Sequence, residues 1–147
     1  AAEPCGQGAS PAGSRARAPP LPGVTRVGKH RFRAHAFFLN IRLHTMCVPA
    51  LQRAAQFQAV LREVKEDVAE AGKGGLSEWL VHEALALSCG RHGLTVDDLG
   101  LVYRAEVRAK TIIDRDIWGR YSADLRLALA ERQLLVAGKA AGWPSLR

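Results

Sequence analysis

The hydrophobic positions change period near Pro49. Before it, Phe32, Ala34, Ala36 and Phe38 alternate with Arg31, Arg33, His35 and Phe37, and Leu39, Ile41 and Leu43 then alternate with Asn40, Arg42 and His44. Period two predicts a strand, or two short strands with a shift of face near Phe37–Phe38. Beyond Pro49, Leu51, Ala54, Phe57, Leu61, Val64, Val68 and Ala71 recur three or four apart, with Arg53, Arg62, Glu63, Lys65, Glu66, Asp67 and Glu70 mostly off that stripe. This is a helical period, and Gly72, Gly74 and Gly75 should end it. A second helix opens at Ser77 as its N-cap, carries Leu76, Trp79, Leu80, Ala84 and Leu87, and closes near Arg91, His92 and Gly93. Thr95 with Asp98 reads as a capping box starting a third helix through Leu99, Val102, Tyr103, Ala109, Ile112 and Ile113. After a break between Gly119 and Ser122, a fourth runs through Leu125, Ala128, Leu129, Leu135 and Val136.

Short amphipathic helices are marginal alone in water, so these stripes must pack on one another or on a partner. The expected fold is therefore mainly α: a small bundle of about four helices over residues 47–140, followed by a tail, 141–147. Residues 1–25 are rich in Pro, Gly and Ala and poor in large apolar groups, which predicts a disordered leader. Residues 26–46 are expected to form a basic, extended segment preceding the bundle. No internal repeat is present, and no apolar run approaches the roughly 18 residues needed to span a membrane.

Composition adds one point. The 147 residues, 48% hydrophobic and 24% charged, fit a single domain and exclude collagen-like, disulfide-dense and wholly disordered classes. The charge of +7 is concentrated at one end, since residues 1–46 hold Arg15, Arg17, Arg26, Lys29, Arg31, Arg33 and Arg42 against Glu3, leaving the remainder nearly neutral. Three readings of residues 1–45 stand side by side: a processed transit peptide addressed to an organelle, a segment upstream of a start at Met46, and a functional basic arm. The three cysteines, Cys5, Cys47 and Cys89, indicate no disulfide framework, which points to an intracellular, reducing compartment. Cys47 and Cys89 read as small core residues.

Candidate chemistry is thin. His82-Glu83 begins a zinc-protease motif, but Ala86 stands where the second histidine is required. Cys89 and His92 are one turn apart, yet His82 lies about 10 Å from Cys89 along the axis, too far to join them on a metal. His30, His35, His44 and Cys47 have irregular gaps that match no zinc pattern. Asp114, Asp116 and Gly119 fit positions one, three and six of a calcium loop, but Trp118 and Leu125 replace two further ligands. Gly72-Lys73-Gly74-Gly75 lacks the spacing of a phosphate loop and reads as a hinge. A helix-turn-helix window from Leu85 to Val102, turning at Gly93, would present Asp97 and Asp98 to DNA, which repels them.

No nucleophile elbow, dinucleotide fingerprint or metal set is present, so the chain reads as non-enzymatic, with no cofactor and no metal. The expected function is that of a protein-interaction module, an assembly or regulatory factor. It would self-associate or hold a protein partner through Phe57, Leu61, Val64, Val68, Trp79 and Trp118. The alternative is a nucleic-acid or ribonucleoprotein-binding protein using Arg26, Lys29, Arg31, Arg33 and Arg42, where guanidinium groups neutralise phosphates and interleaved Phe rings stack on bases.

Overall fold

The computed structural model describes residues 21–108 and 116–142, with Lys73 described by its backbone alone. It overturns the mainly helical bundle. The chain is a mixed α/β fold in which a curled antiparallel sheet, a half-barrel, carries helices on one face. The strands are β1 (Val24–Val27), β2 (Arg31–Phe38), β3 (Ile41–His44), β4 (Val102–Val107) and β5 (Ile117–Trp118), hydrogen-bonded in chain order. The helices are α1 (Leu51–Ala71), α2 (Glu78–Arg91), the single turn α3 (Val96–Leu99) and α4 (Leu125–Ala140).

The alternation in residues 31–44 is that of a half-buried sheet. Phe32, Ala34, Ala36 and Phe38 are buried, while Arg31, Arg33, His35 and Phe37 lie on the other side. The chain reverses at Leu39–Asn40, later than Phe37–Phe38, with both residues at positive φ (47° and 63°). This is the two-residue type I′ hairpin, whose twist suits antiparallel strands. Across β3 and β4 the buried side pairs Leu43 with Tyr103 and Ile41 with Ala105, so one apolar surface continues over three strands.

That surface is what α1 covers. Its stripe of Ala54, Phe57, Val60, Leu61, Val64 and Val68 is fully buried, chiefly against β2, and each large side chain contributes about 1.5–3 kcal/mol by leaving water. The bundle expectation failed here because the surface that satisfies the stripe is the strand pair formed by the basic segment as well as α2. Packed against α1, α2 contributes Val81, Ala84, Leu85 and Cys89 to the same core, and starts at the Ser77 cap, which accepts from the Leu80 amide. α4 packs on β4, with Leu125 and Ala128 in the same core and Leu135 and Val136 around Val107 and Ile117.

The expected third helix is a single turn. The Thr95–Asp98 capping box is present, but Gly100 in the left-handed region (φ 55°) stops α3 after one turn, and the chain continues as β4. Val102 and Tyr103 thus belong to a strand, and Ala109, Ile112 and Ile113 lie outside the described residues. No second helix remains to serve the helix-turn-helix window. Cys47 and Cys89 are both buried, as expected, but Cys47 is disulfide-bonded where the sequence indicates no disulfide framework, whereas Cys89 is a free thiol. Among the described residues no helix is long and apolar enough to cross a membrane.

Candidate anion-binding face of the sheet

The sheet face opposite α1 and α4 collects most of the polar residues of the strands. Cross-strand register sets His35 beside His44, Phe37 beside Arg42, Arg42 beside Arg104, and Glu106 beside Trp118. Arg31 and Arg33 belong to the same face by their position in β2.

Trp118 and Tyr121, three residues apart, would fall on opposite faces of a regular strand. A one-residue bulge prevents this. Glu106 pairs with Trp118 but Tyr103 pairs with Ser122, so three residues, 119–121, oppose two, 104–105. Both rings therefore reach Arg104, whose guanidinium carbon lies 5.3 Å from the centre of Trp118 and 4.3 Å from that of Tyr121. Gly119 fits the bulge because a Cβ there would overlap the Glu131 carboxylate, which accepts from the Arg120 amide at 3.2 Å.

Glu106 is the one carboxylate in the middle of this group, and it is nearly buried. It is held bidentately by Arg42 at 3.1 and 2.8 Å, and Arg104 donates to it at 2.9 Å. The hydrogen bonds from Arg42 hold its carboxyl below the usual range, against the opposing effect of burial. Asn40 secures the same strand, donating its amide to the Glu106 carbonyl at 3.3 Å while its own carbonyl accepts from the Glu106 N–H.

Arg33 has no such partner. Among the described residues it meets no carboxylate, and its Nε and that of Arg104 are buried without a hydrogen bond. Burial lowers its affinity for its proton, and the neighbouring Arg104 charge acts in the same direction. The histidines feel the same field. His44 is pushed down to about 3, first by burial and then by Arg33, His35, Arg42 and Arg104, while His35 is lowered by burial, Arg42 and Arg33. Both imidazoles are neutral at pH 7. His44 Nε2 shares a 2.9 Å hydrogen bond with the Tyr121 hydroxyl, and the His35 ring stands edge-on to His44, 6.1 Å away.

Of the basic residues expected in a nucleic-acid arm, Arg31, Arg33 and Arg42 share this face. Arg26 lies exposed on β1, 5.5 Å over Phe32, and Lys29 sits in the exposed β1–β2 turn. Of the residues expected at a protein interface, Phe57, Leu61, Val64 and Val68 are core, Trp79 is 70% exposed on α2, and Trp118 lies beside Arg104. His30 is an exposed turn residue, and His82 pairs with Glu78 on the surface of α2. His92 bonds Glu63 at 2.7 Å, where Ser88 also donates. Asp114 of the calcium-loop expectation lies outside the described residues, while Ile117–Trp118 is strand and Leu125 is buried in α4, so no helix-flanked loop forms over that part. Among the described residues, no group of three or more His, Cys, Asp and Glu side chains is placed to hold a metal ion.

Arg104, Glu106 and Tyr121 complete the site, and no motif in the sequence marks them. Their signal was the alternation of Tyr103, Ala105 and Val107 with Arg104 and Glu106, a second period-two segment. The site has the chemistry to hold an anion: among the described residues its guanidinium groups outnumber its carboxylates, and aromatic rings lie between them. The chain matches no known protein family, no curated protein and no solved structure.

Proposed function

We propose that the chain is a non-enzymatic nucleic-acid-binding protein that takes a single strand across the basic face of its sheet. The supporting observation is the placement of Arg31, Arg33, Arg42 and Arg104, from three neighbouring strands, on one face with Phe37, Trp118 and Tyr121. Guanidinium groups neutralise phosphates, and rings offer stacking surface that does not depend on base identity. The basic residues thus act from a folded sheet, and Arg104, outside the N-terminal segment, joins them.

Fluorescence anisotropy of labelled 12-nucleotide single strands and a matching duplex tests this. Single strands should bind more tightly, with a salt slope of about −0.7 for each phosphate neutralised. Arg104→Ala should reduce that slope, and Trp118→Ala should weaken binding by about 1–3 kcal/mol if bases stack there. Absence of binding at low salt, or an affinity indifferent to both substitutions, would overturn the reading.

A second reading, protein assembly, has its own support in the exposed apolar residues Trp79 and Leu87 of α2 and Leu127 and Leu134 of α4. Residues 79 and 87, and 127 and 134, are spaced to share a helix face. Sedimentation of the full chain at rising concentration should show association that Trp79→Ser with Leu87→Ser abolishes. A monomer throughout would exclude self-association.

A further inference from the structure

The basic face has one corner with a charge surplus of its own among the described residues. From β2 it receives Arg33 and His35, from β3 Arg42 and His44, from β4 Arg104 and Glu106, and from the segment after β5 Tyr121. Among the described residues three guanidinium groups thus meet one carboxylate. Glu106 occupies Arg42 with both oxygens and takes one nitrogen of Arg104, so that among the described residues no carboxylate is placed against Arg33. With both histidines neutral, the surplus is two positive charges. A phosphate inside a strand carries one negative charge, whereas a phosphate monoester carries about −1.5 to −2 at pH 7.

We propose that the corner bounded by Arg33, His35, His44, Arg104 and Tyr121 seats a phosphate monoester dianion, the terminal phosphate of the bound strand. The inference rests on the nucleic-acid reading for the source of the monoester. Arg33 and Arg104 supply charge, and their terminal guanidinium nitrogens, not the buried Nε groups, would be the donors. Tyr121 and the two imidazoles supply neutral hydrogen-bonding groups, and the anion relieves the repulsion between the guanidinium groups.

The experiment uses the full chain with 12-nucleotide strands that carry a 5′-phosphate, a 3′-phosphate or only hydroxyl ends, together with adenosine monophosphate and inorganic phosphate, at pH 7. Affinities are read by anisotropy and competition, and occupancy by the NMR shifts of the His35 and His44 ring protons. A strand with one phosphorylated end should bind at least tenfold tighter than the hydroxyl strand, and both histidine resonances should move. Arg33→Gln should abolish that preference, Arg33→Lys should restore part of it, and Tyr121→Phe should reduce it. Equal affinity for all strands, with histidine resonances unmoved by monophosphate, would overturn the seat. Movement of the histidines by monophosphate with no binding of any strand would keep the seat and overturn the nucleic-acid reading instead.

Discussion

Glu106 and His44 lie on the same face of the sheet, both beside Arg42 and Arg104, and respond to acid in the same sense for different reasons. Glu106 gains from being charged: Arg42 bonds to its carboxylate and holds it below the usual range. Its contribution is present above the unfolded carboxyl's pKa and is lost as pH falls through the lower folded value. His44 gains from being neutral. Its folded pKa of about 3 lies below the ordinary 6.5, so the unfolded chain takes the proton first and stability declines as pH falls below 6.5. Between pH 6.5 and 4 the expected loss from His44 alone is about 3 kcal/mol, at 1.4 kcal/mol per unit, and His35 adds to it in the same direction. Urea unfolding across that range should show this decline, and His44→Gln should flatten it. A slope unchanged in the variant would show that the imidazole is not the group responsible. At pH 7, Glu106→Gln should cost about 2–4 kcal/mol, because Arg42 and Arg104 keep their charges and lose the carboxylate. The urea midpoint checks it, and a loss under 1 kcal/mol would mean that water or another anion replaces the carboxylate.

The β2–β3 hairpin is the element that aligns these residues, and its turn was not recognised in the sequence. Leu39–Asn40 lacks glycine, the usual mark of a type I′ turn, and Leu39 fits the alternation of Ile41 and Leu43 that follows it. Its side chain instead reaches the end of α1, where a Cβ on Gly72 would come within 2.8 Å of it. Asn40 tolerates positive φ and bonds to the Glu106 carbonyl, tying the turn to β4. Asn40→Ala should lose both advantages, about 2 kcal/mol together, while Asn40→Gly should lose only the hydrogen bond, about 1 kcal/mol. Thermal or urea unfolding of the pair measures the difference, and equal losses would remove the conformational part of the account. The same contest between local periods explains the third helix. Leu99, Val102 and Tyr103 fit a helical spacing, but Val102–Val107 also alternates, and pairing with β3 selects the strand. By contrast α1, α2 and α4 have apolar stripes or caps long enough that no competing period arises.

At the scale of the molecule, half of the site was legible, because Arg31, Arg33, His35, Arg42 and His44 occupy one alternating run in the sequence. The other half depends on register between segments some sixty residues apart, such as Arg42 with Arg104 and Glu106, and on a bulge that turns Tyr121 to the same face. No local pattern carries that information. The same long-range pairing decides whether the basic segment is an appendage or part of the fold. Phe32, Ala34, Ala36, Phe38, Ile41 and Leu43 all lie in the core that contains Phe57, Leu61, Val64 and Val68. A fragment beginning at Met46 would keep every helix but expose the α1 stripe, and β4 would lose its pairing with β3. An exposed stripe and an unpaired strand edge favour aggregation or a loosely packed helical state over a native domain. The 46–147 fragment should therefore retain far-ultraviolet helical signal while losing a cooperative urea transition, and it should bind a hydrophobic dye that the full chain does not bind. A sharp transition with a slope close to that of the full chain would mean that the helices and β4 form a core without the first three strands. The basic segment would then be a separable arm, and the anion face would lose its structural basis, since Arg33 and Arg104 are brought together only by the sheet.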